Sequence, residues 1–237
     1  MNVLSLSERL SAVAAHLPKA AHFVDVGSDH AYLPCYVCLK DTTSQAIAGE
    51  INEGPFRSAQ KQVKLQGLID RIDVRKGDGL AVVEADEVKQ VVIAGMGGPL
   101  IASILEQGKD KLGRVEQLIV QPNIDARVLR KWFLNNGFVL QKEQILEEAG
   151  HIYEVLVAER QGKDIYHGDE AIRDKELLFG PILLKDKNEA FRTKWLDYKR
   201  KLARNVANMQ QAQQVDEAKL ASFKKELAWL EEELDEC

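Results

Sequence analysis

HFVDVGSDHAYLP, residues 22–34, reads as a short buried strand, Phe23–Val26, a tight turn at Gly27 and a helix beginning near Ala31. An acid near the end of a strand, a glycine two residues on and then a helix start is the form of a nucleotide-binding first βα turn. Gly27 lets the backbone turn and approach a ligand closely. The helix N-terminus beyond it offers free N–H groups. A dinucleotide-binding turn has G-x-G-x-x-G; here Asp29 and Ala31 occupy the second and third glycine positions. Asp29 would repel a pyrophosphate and suits a cationic ligand. A sulfonium cofactor such as S-adenosylmethionine fits that charge, and NAD does not. The plainer alternative is an ordinary strand–turn–helix with an aspartate capping the helix.

On the amino-terminal side, Leu6, Leu10, Val13 and Leu17 recur at helical spacing over residues 3–17, with Ser7 as a candidate cap. Arg9 on this helix either lies over the edge of the sheet or is a solvated charge. On the other side, SQAIAGEI forms a second strand ending at Glu50, 25 residues after Asp25. An acid there is where a nucleoside-binding fold holds both ribose hydroxyls. A helix follows over 52–67, with Pro55 near its first turn and Gly67 at its end. Strand 71–76 leads to Gly77-Asp78-Gly79-Leu80, whose aspartate either reaches a purine's amine or only makes the turn. Val88–Ala94 is the most apolar strand, which puts it at the centre of the sheet. It runs into Gly95-Met96-Gly97-Gly98-Pro99, which leaves backbone open where such sheets bind ligands.

Helix 99–108, strand 117–120 ending in Gln121-Pro122-Asn123, and a helix stopping at Asn136-Gly137 complete the alternating pattern. Strands 138–146 and 152–159 are joined only by the short turn Glu147–His151, so they form an antiparallel hairpin. Five βα units closed by a hairpin is the α/β pattern of a class I methyltransferase: a Rossmann-like sheet of parallel strands plus a terminal antiparallel hairpin. Gly27, Glu50, Asp78 and Gly95 all end strands on one edge of it.

The segments DVGSDHAYLP, AGEIN, GDGL, AGMGG and QPN, with the leading LSERL, resemble the bacterial tRNA (adenine-22-N1)-methyltransferase family over about residues 4–160. The resemblance implies methyl transfer from S-adenosylmethionine to adenine N1 in tRNA, a methyltransferase domain over 1–160 and a coiled-coil, tRNA-binding domain over 161–237. It implies a cofactor site of Gly27, Ser28 and Asp29 after the first strand, Glu50, Ile51 and Asn52 after the second, Asp78 and Gly79 after the third, and Ala94, Gly95 and Met96 after the fourth. Tyr32, Gly97, Gly98, Gln121, Pro122 and Asn123 would meet the target base. Asp29, His30 and Arg9 would face the reacting centre.

From about residue 163 the pattern changes. Phe191, Trp195, Tyr198, Leu202, Val206 and Met209 form one helical stripe, and Leu220, Phe223, Leu227, Leu230 and Leu234 another. A single heptad run from Trp195 would put Asp216 and Glu226 in the seam, so a break near Gln210–Asp216 and an antiparallel helical hairpin are expected, with Asp216 capping the second helix. Residues 185–204 hold eight Lys or Arg against three acids, and residues 226–236 hold six acids and no base. The basic run is either a solvated face or a phosphate grip made by Lys194, Lys199, Arg200, Lys201 and Arg204.

The net charge of −5 argues against a uniformly basic nucleic-acid binder but leaves a local basic face open. The chain is 45% apolar and 29% charged, an ordinary globular composition. No apolar run reaches the ~20 residues of a membrane span, and the first residues lack a signal-peptide pattern. Cys35 and Cys38 have C-x-x-C spacing without a second Cys or His pair, so buried thiols are expected and no metal. A cytoplasmic monomer is the expectation. Adenine N1 carries a free lone pair and needs no obligatory base, and no D/N-P-P-Y motif of amino-directed methylation is present. A small-molecule methyltransferase and a non-catalytic RNA-binding protein remain the alternatives.

Overall fold

The computed structural model describes residues 2–212 and 214–235. The chain divides into two compact units, Met1–Gln144 with Tyr153–Ile165, and Ile145–Ile152 with Tyr166–Cys237. The tip of the hairpin therefore groups with the helical tail.

The first unit holds α1 (Glu8–Ala14), β1 (His22–Val26), α2 (Tyr32–Lys40), β2 (Gln45–Glu50), α3 (Glu53–Leu65), β3 (Ile72–Lys76), β4 (Gln90–Met96), α4 (Gly98–Gln107), β5 (Gln117–Pro122) and α5 (Ala126–Asn135). Strands β6 (Val139–Glu148) and β7 (His151–Glu159) close the sheet, whose order is β3-β2-β1-β4-β5-β7-β6. β1 pairs in parallel with both β2 and β4, and β5 pairs antiparallel with β7. β4 is the central strand, and Val91, Val92 and Ile93 on it are fully buried, as its apolar run requires. The chain leaves β1 toward β2 and β3, then returns to β4 and β5 on the other side. The switch point between β1 and β4 is where a parallel sheet opens a crevice at its carboxyl edge.

Some boundaries differ from expectation. α1 spans only Glu8–Ala14, not residues 3–17. The Asn2 side chain accepts from Leu4 N and Ser5 N at 2.8 and 2.9 Å, a local turn that competes with helix. Pro18 disfavours helix at Leu17. Ser7 does cap the helix, accepting from Leu10 N. β4 runs on to Met96 through an irregularity between Ala94 and Met96, so the glycine segment is partly strand. The hairpin turn is Ala149-Gly150, both with positive φ, as a two-residue type I′ turn requires.

In the second unit, α6 (Glu170–Phe179), α7 (Glu189–Gln210) and α8 (Glu217–Asp235) pack around Phe179, Phe191, Trp195, Leu202 and Leu230. The break falls where the heptad argument puts it. Asp216 accepts from Lys219 N at 3.0 Å. Tyr198 donates to Glu226 at 2.8 Å and Lys187 pairs with Glu233 at 2.8 Å, so α7 and α8 run antiparallel. α6 has no counterpart in the sequence reading. Its cap is Asp169, which accepts from Ala171 N and Ile172 N. The charge segregation is smaller in space than along the chain. Lys187 of the basic run and Lys175 of α6 both bind Glu233. Burial opposes the Glu233 charge, but the two lysines outweigh it and hold its carboxyl below the ordinary value. Glu236 of the acidic run lies outside the described residues.

One polar clamp in the first unit is buried outright. Arg130 on α5 has no exposed surface and binds Glu143 of β6 through Nε and Glu154 of β7 through Nη2, each at 2.6 Å. Removing one member of such a cluster leaves uncompensated charge in the interior. Arg130→Ala should therefore cost about 3–5 kcal/mol of stability. Restoring neutrality with Arg130→Met, Glu143→Gln and Glu154→Gln together should recover much of it. Urea denaturation checks this, and a single variant within 1 kcal/mol of the parent (roughly the exposed-pair range) would show that the clamp is not the fastening it looks to be.

Candidate active site

The turn after β1 is stitched to the end of β2. Gly27 N and Ser28 N both donate to the Gly49 carbonyl, at 3.0 and 3.1 Å. Asp29 N donates to the Glu50 carboxylate, and Ala31 N to Ser28 O at 3.1 Å. The path needs positive φ at Gly27 (+73°), Asp29 (+58°) and Ala31 (+54°). Aspartate tolerates that region better than alanine, but neither prefers it, and each costs on the order of 1 kcal/mol. A Cβ at Gly27 would also run into the Met96 side chain. No side chain caps α2, so Asp29 is not the capping residue of the plainer alternative. Its carboxylate is exposed and stands 3.6 Å from His30 Nε2. The His30 and Tyr32 rings lie 5.3 Å apart.

Asp25 and Glu50 end adjacent strands, and each is only 5% exposed. Among the described residues neither is paired with Lys or Arg. Asp25 accepts from Ser28 Oγ at 2.6 Å. Burial pushes its carboxyl up to about 7; the Ser28 hydrogen bond pulls the other way, and the Glu50 charge adds to the rise. Burial likewise raises Glu50, against the hydrogen bond from Asp29 N. Ile51 and Asn52 follow on the surface. Asp78 is exposed, with Gly79 behind it. Its loop is fixed by Arg75, which grips both oxygens of Glu87 at 2.7 Å and donates to Val82 O at 2.9 Å.

The ends of β4 and β5 are tied by a closed polar latch. Gln121, fully buried, accepts through its carboxamide oxygen from Arg9 Nη1 and from Gly95 N. Its amide nitrogen donates to Asn123 Oδ1 at 3.2 Å. Asn123 Nδ2 donates to Gly95 O at 2.8 Å, and Asn123 N to Met96 O at 2.7 Å. The Arg9 guanidinium lies 5.2 Å from the centroid of the Tyr153 ring. Pro122 and Gly98 are buried, whereas Asn123 is exposed. A Cβ at Gly98 would strike the Asp125 carbonyl, so that glycine is needed for packing. Ala94 and Gly97 are half-buried, and Ile124 covers Gly97, with Cγ1 3.5 Å from where a Cβ would stand.

These groups gather on one edge of the first unit. The basic residues of α7 belong to the second unit. Arg200, Lys201 and Arg204 are exposed there, Lys201 is paired with Asp197 at 2.6 Å, and Lys194 lies over the Trp195 ring at 4.4 Å. Lys199 is half-buried. Cys35 and Cys38 are buried, and burial pushes their thiols up to about 12 and about 11. That leaves them protonated and unreactive. Among the described residues no group of three or more His, Cys, Asp or Glu could hold a metal ion. No described helix is long and apolar enough to cross a membrane. A cavity of about 490 Å³ lies at the opposite edge, lined in part by His22, Lys89, Glu116 and Arg160. Lys89 and Glu116 are paired there at 3.3 Å, and the glycine turns are far along the strands from it.

Comparison with known proteins identifies the family of the chain. The profile of the TrmK family, tRNA (adenine(22)-N(1))-methyltransferase, matches residues 23–232. The chain belongs to this family. It is 52% identical over 195 residues to the tRNA (adenine(22)-N(1))-methyltransferase of Bacillus subtilis, covering 82% of each chain. The crystal structure of the B. subtilis m1A22 tRNA methyltransferase TrmK superposes with a TM-score of 0.90 at 44% identity, over 98% of this chain and 99% of that one. A Streptococcus pneumoniae protein assigned as a tRNA (m1A22) methyltransferase, solved in complex with S-adenosyl-L-methionine, superposes with a TM-score of 0.84 at 38% identity, over 97% and 100%. The fold is thus the Rossmann-like one expected from the order of strands.

Sequence reading finds the strand-end residues but not the latch. A glutamine closing an otherwise apolar strand is the available signal. It also passes over what burial does to Asp25. A carboxyl raised in the folded state stabilises the fold fully only below its unfolded value near 4, and loses that contribution as pH rises to about 7. Asp25→Asn should remove this loss. Melting curves from pH 5 to 8, without ligand, should show the parent losing stability relative to the variant, by roughly 4 kcal/mol at most. Parallel profiles would mean that Asp25 is not held protonated.

Proposed function

We infer that the chain transfers a methyl group from S-adenosylmethionine to N1 of adenine 22 in tRNA, the activity of its family, and that the carboxyl edge of its sheet is where transfer takes place. The observation that carries the placement is the pair of buried carboxylates, Asp25 and Glu50, beside a glycine turn and without a Lys or Arg partner among the described residues. Such a pair is costly until a cation or hydrogen-bond donors arrive. S-adenosylmethionine brings both, an electrophilic methyl on a sulfonium and a ribose diol. Glu50 would accept from the diol, Asp78 and Gly79 would meet the adenine, and Ile51 and Asn52 would flank it. Gly27 and Ser28 would line the amino-acid end near Asp25. Ala94, Gly95 and Met96 would floor the crevice.

The chain's own work is to hold N1 in line with the methyl and exclude water. The target must leave its stack first, because N1 lies on the pairing edge. His30 and Tyr32 offer ring faces beside Asp29, and Gly97 with Ile124 offers open backbone and an apolar wall. The Asp29 carboxylate would stabilise the cationic product base. Gln121 and Pro122 are buried, so they act by positioning. Arg9 acts through Gln121 rather than on the reacting atoms.

Lys194, Lys199, Arg200, Lys201 and Arg204 on α7 supply a phosphate grip, sequence-blind and salt-dependent. The enzyme works as a monomer in the cytoplasm. Two observations support this: α7 and α8 bury their stripes against each other within one chain, and Cys35 and Cys38 are free thiols.

Three sets of variants test this reading. Glu50→Ala should weaken S-adenosylmethionine binding by about 1–3 kcal/mol by calorimetry. Asp29→Gly removes a strained φ, so it should melt no lower than the parent while turnover falls; unchanged turnover would leave Asp29 without a chemical role. Arg200→Glu with Arg204→Glu should weaken tRNA binding and flatten its salt dependence by roughly one unit of slope for each phosphate no longer neutralised. Unchanged tRNA affinity in that variant would return α7 to a solvated face.

A further inference from the structure

We propose that Asn123 reads the N6/N7 edge of the target adenine and thereby leaves N1 free for the methyl group. This rests on the placement of the active site at the carboxyl edge. N1 sits on the Watson–Crick edge, which a flipped base commonly uses for recognition. Here that edge must face the methyl donor, so identity has to be read elsewhere. The N6 amine and N7 present a donor and an acceptor side by side. A side-chain amide is the group that matches them, its oxygen taking N6–H and its nitrogen donating to N7.

Asn123 is that amide. It is exposed at the end of β5, beside the half-buried backbone of Gly97 and the exposed Ile124. Its orientation is dictated by its neighbours. The Gly95 carbonyl can only accept, so Nδ2 must face it, at 2.8 Å. The Gln121 oxygen is claimed by two obligate donors, Arg9 and Gly95 N, so the Gln121 nitrogen must face Asn123 Oδ1. The backbone of Asn123 is fixed too, through Met96 O. The amide therefore cannot flip. One acceptor site on Oδ1 and one N–H on Nδ2 stay unused, which are the two valences adenine needs. Guanine presents an acceptor in place of the N6 amine and would meet Oδ1 with repulsion. Asn123 is thus a specificity-determining contact, and Gln121 and Arg9 are the positioning residues behind it.

The test is a double-mutant cycle across the interface, with synthetic tRNA carrying adenosine or 7-deazaadenosine at position 22. The deaza base keeps N1 and the N6 amine and loses only the N7 acceptor. Wild-type kcat/KM should fall about tenfold on the deaza substrate relative to Asn123→Ala on the same pair, beyond any change in N1 reactivity, which cancels in the cycle. Gln121→Ala, which removes the group that orients the Asn123 amide without touching the base, should give a coupling of the same sign and no larger than that of Asn123→Ala. Multiplying losses for Asn123→Ala would overturn the proposal and make Asn123 a structural residue. If that variant does not fold, the wild type decides alone. Purine riboside at position 22 lacks the N6 amine, and methylation of it and of 7-deazaadenosine as efficiently as adenosine would overturn the proposal equally. A misplaced active site shows itself differently, as unchanged S-adenosylmethionine affinity in Glu50→Ala.

Discussion

The carbonyl of Gly49 accepts two hydrogen bonds, from Gly27 N and Ser28 N, and the carboxylate of Glu50 accepts the next one, from Asp29 N. Three successive donors of the first turn are thus spent on the last two residues of β2. The turn has no side-chain cap to hold it otherwise, and its left-handed residues Asp29 and Ala31 stay where they are because this stitching over-determines them. Everything on the carboxyl edge follows from that fastening. It brings Asp25 near Glu50, directs the Asp29 side chain outward, and sets the start of α2.

The same fastening concentrates negative charge in a dry place. Two carboxyls at 5% exposure are both pushed up chiefly by burial, with the Glu50 charge adding to the rise at Asp25 and the Asp29 charge to the rise at Glu50. An apoprotein built this way relieves the charge by taking up a proton; a cationic ligand offers another relief. Stability without ligand and affinity for a cation therefore respond to pH in opposite senses: rising pH costs the empty fold and favours the occupied one. The contrast with Arg130 is instructive. There the charges are equally buried, but the protein supplies its own cation, with 2.6 Å contacts to two glutamates. One cluster carries its own counter-charge, whereas the other has no Lys or Arg partner among the described residues.

What can be read from the sequence is what has a local signature. Apolar runs of strand length, glycines at strand ends and a phase slip in the heptad pattern mark the parallel sheet, the strand-end residues Gly27, Glu50, Asp78 and Gly95, and the break between α7 and α8. What cannot be read joins side chains distant along the chain. Arg130 meets Glu143 and Glu154, Arg9 meets Gln121, and Lys175 meets Glu233, and no periodicity encodes such partners. The short α6 escapes notice because its apolar residues, Ile172 and Leu177–Phe179, make no repeating stripe. α1 is shorter than its helical spacing implies because spacing says nothing about the Asn2 turn that competes with it.

The latch also bears on how the product charge is met. Open backbone at Gly95 and Met96 suggests carbonyls ready to face a cationic base, yet both carbonyls are occupied by Asn123. An anionic side chain on this edge that the fold does not consume is Asp29. Its carboxylate is exposed, and its cationic partner is His30, 3.6 Å away. The fold gains nothing from an aspartate there: the position calls for glycine on conformational grounds, and the side chain caps no helix. A residue kept at positive φ, charged and turned to solvent fits the charge-stabilising role proposed for it above better than it fits the architecture. The latch then has two effects from one set of hydrogen bonds. It occupies the backbone carbonyls of Gly95 and Met96, and it fixes the orientation of the exposed Asn123 amide; on the reading proposed above, charge stabilisation would then fall to Asp29 and recognition to Asn123.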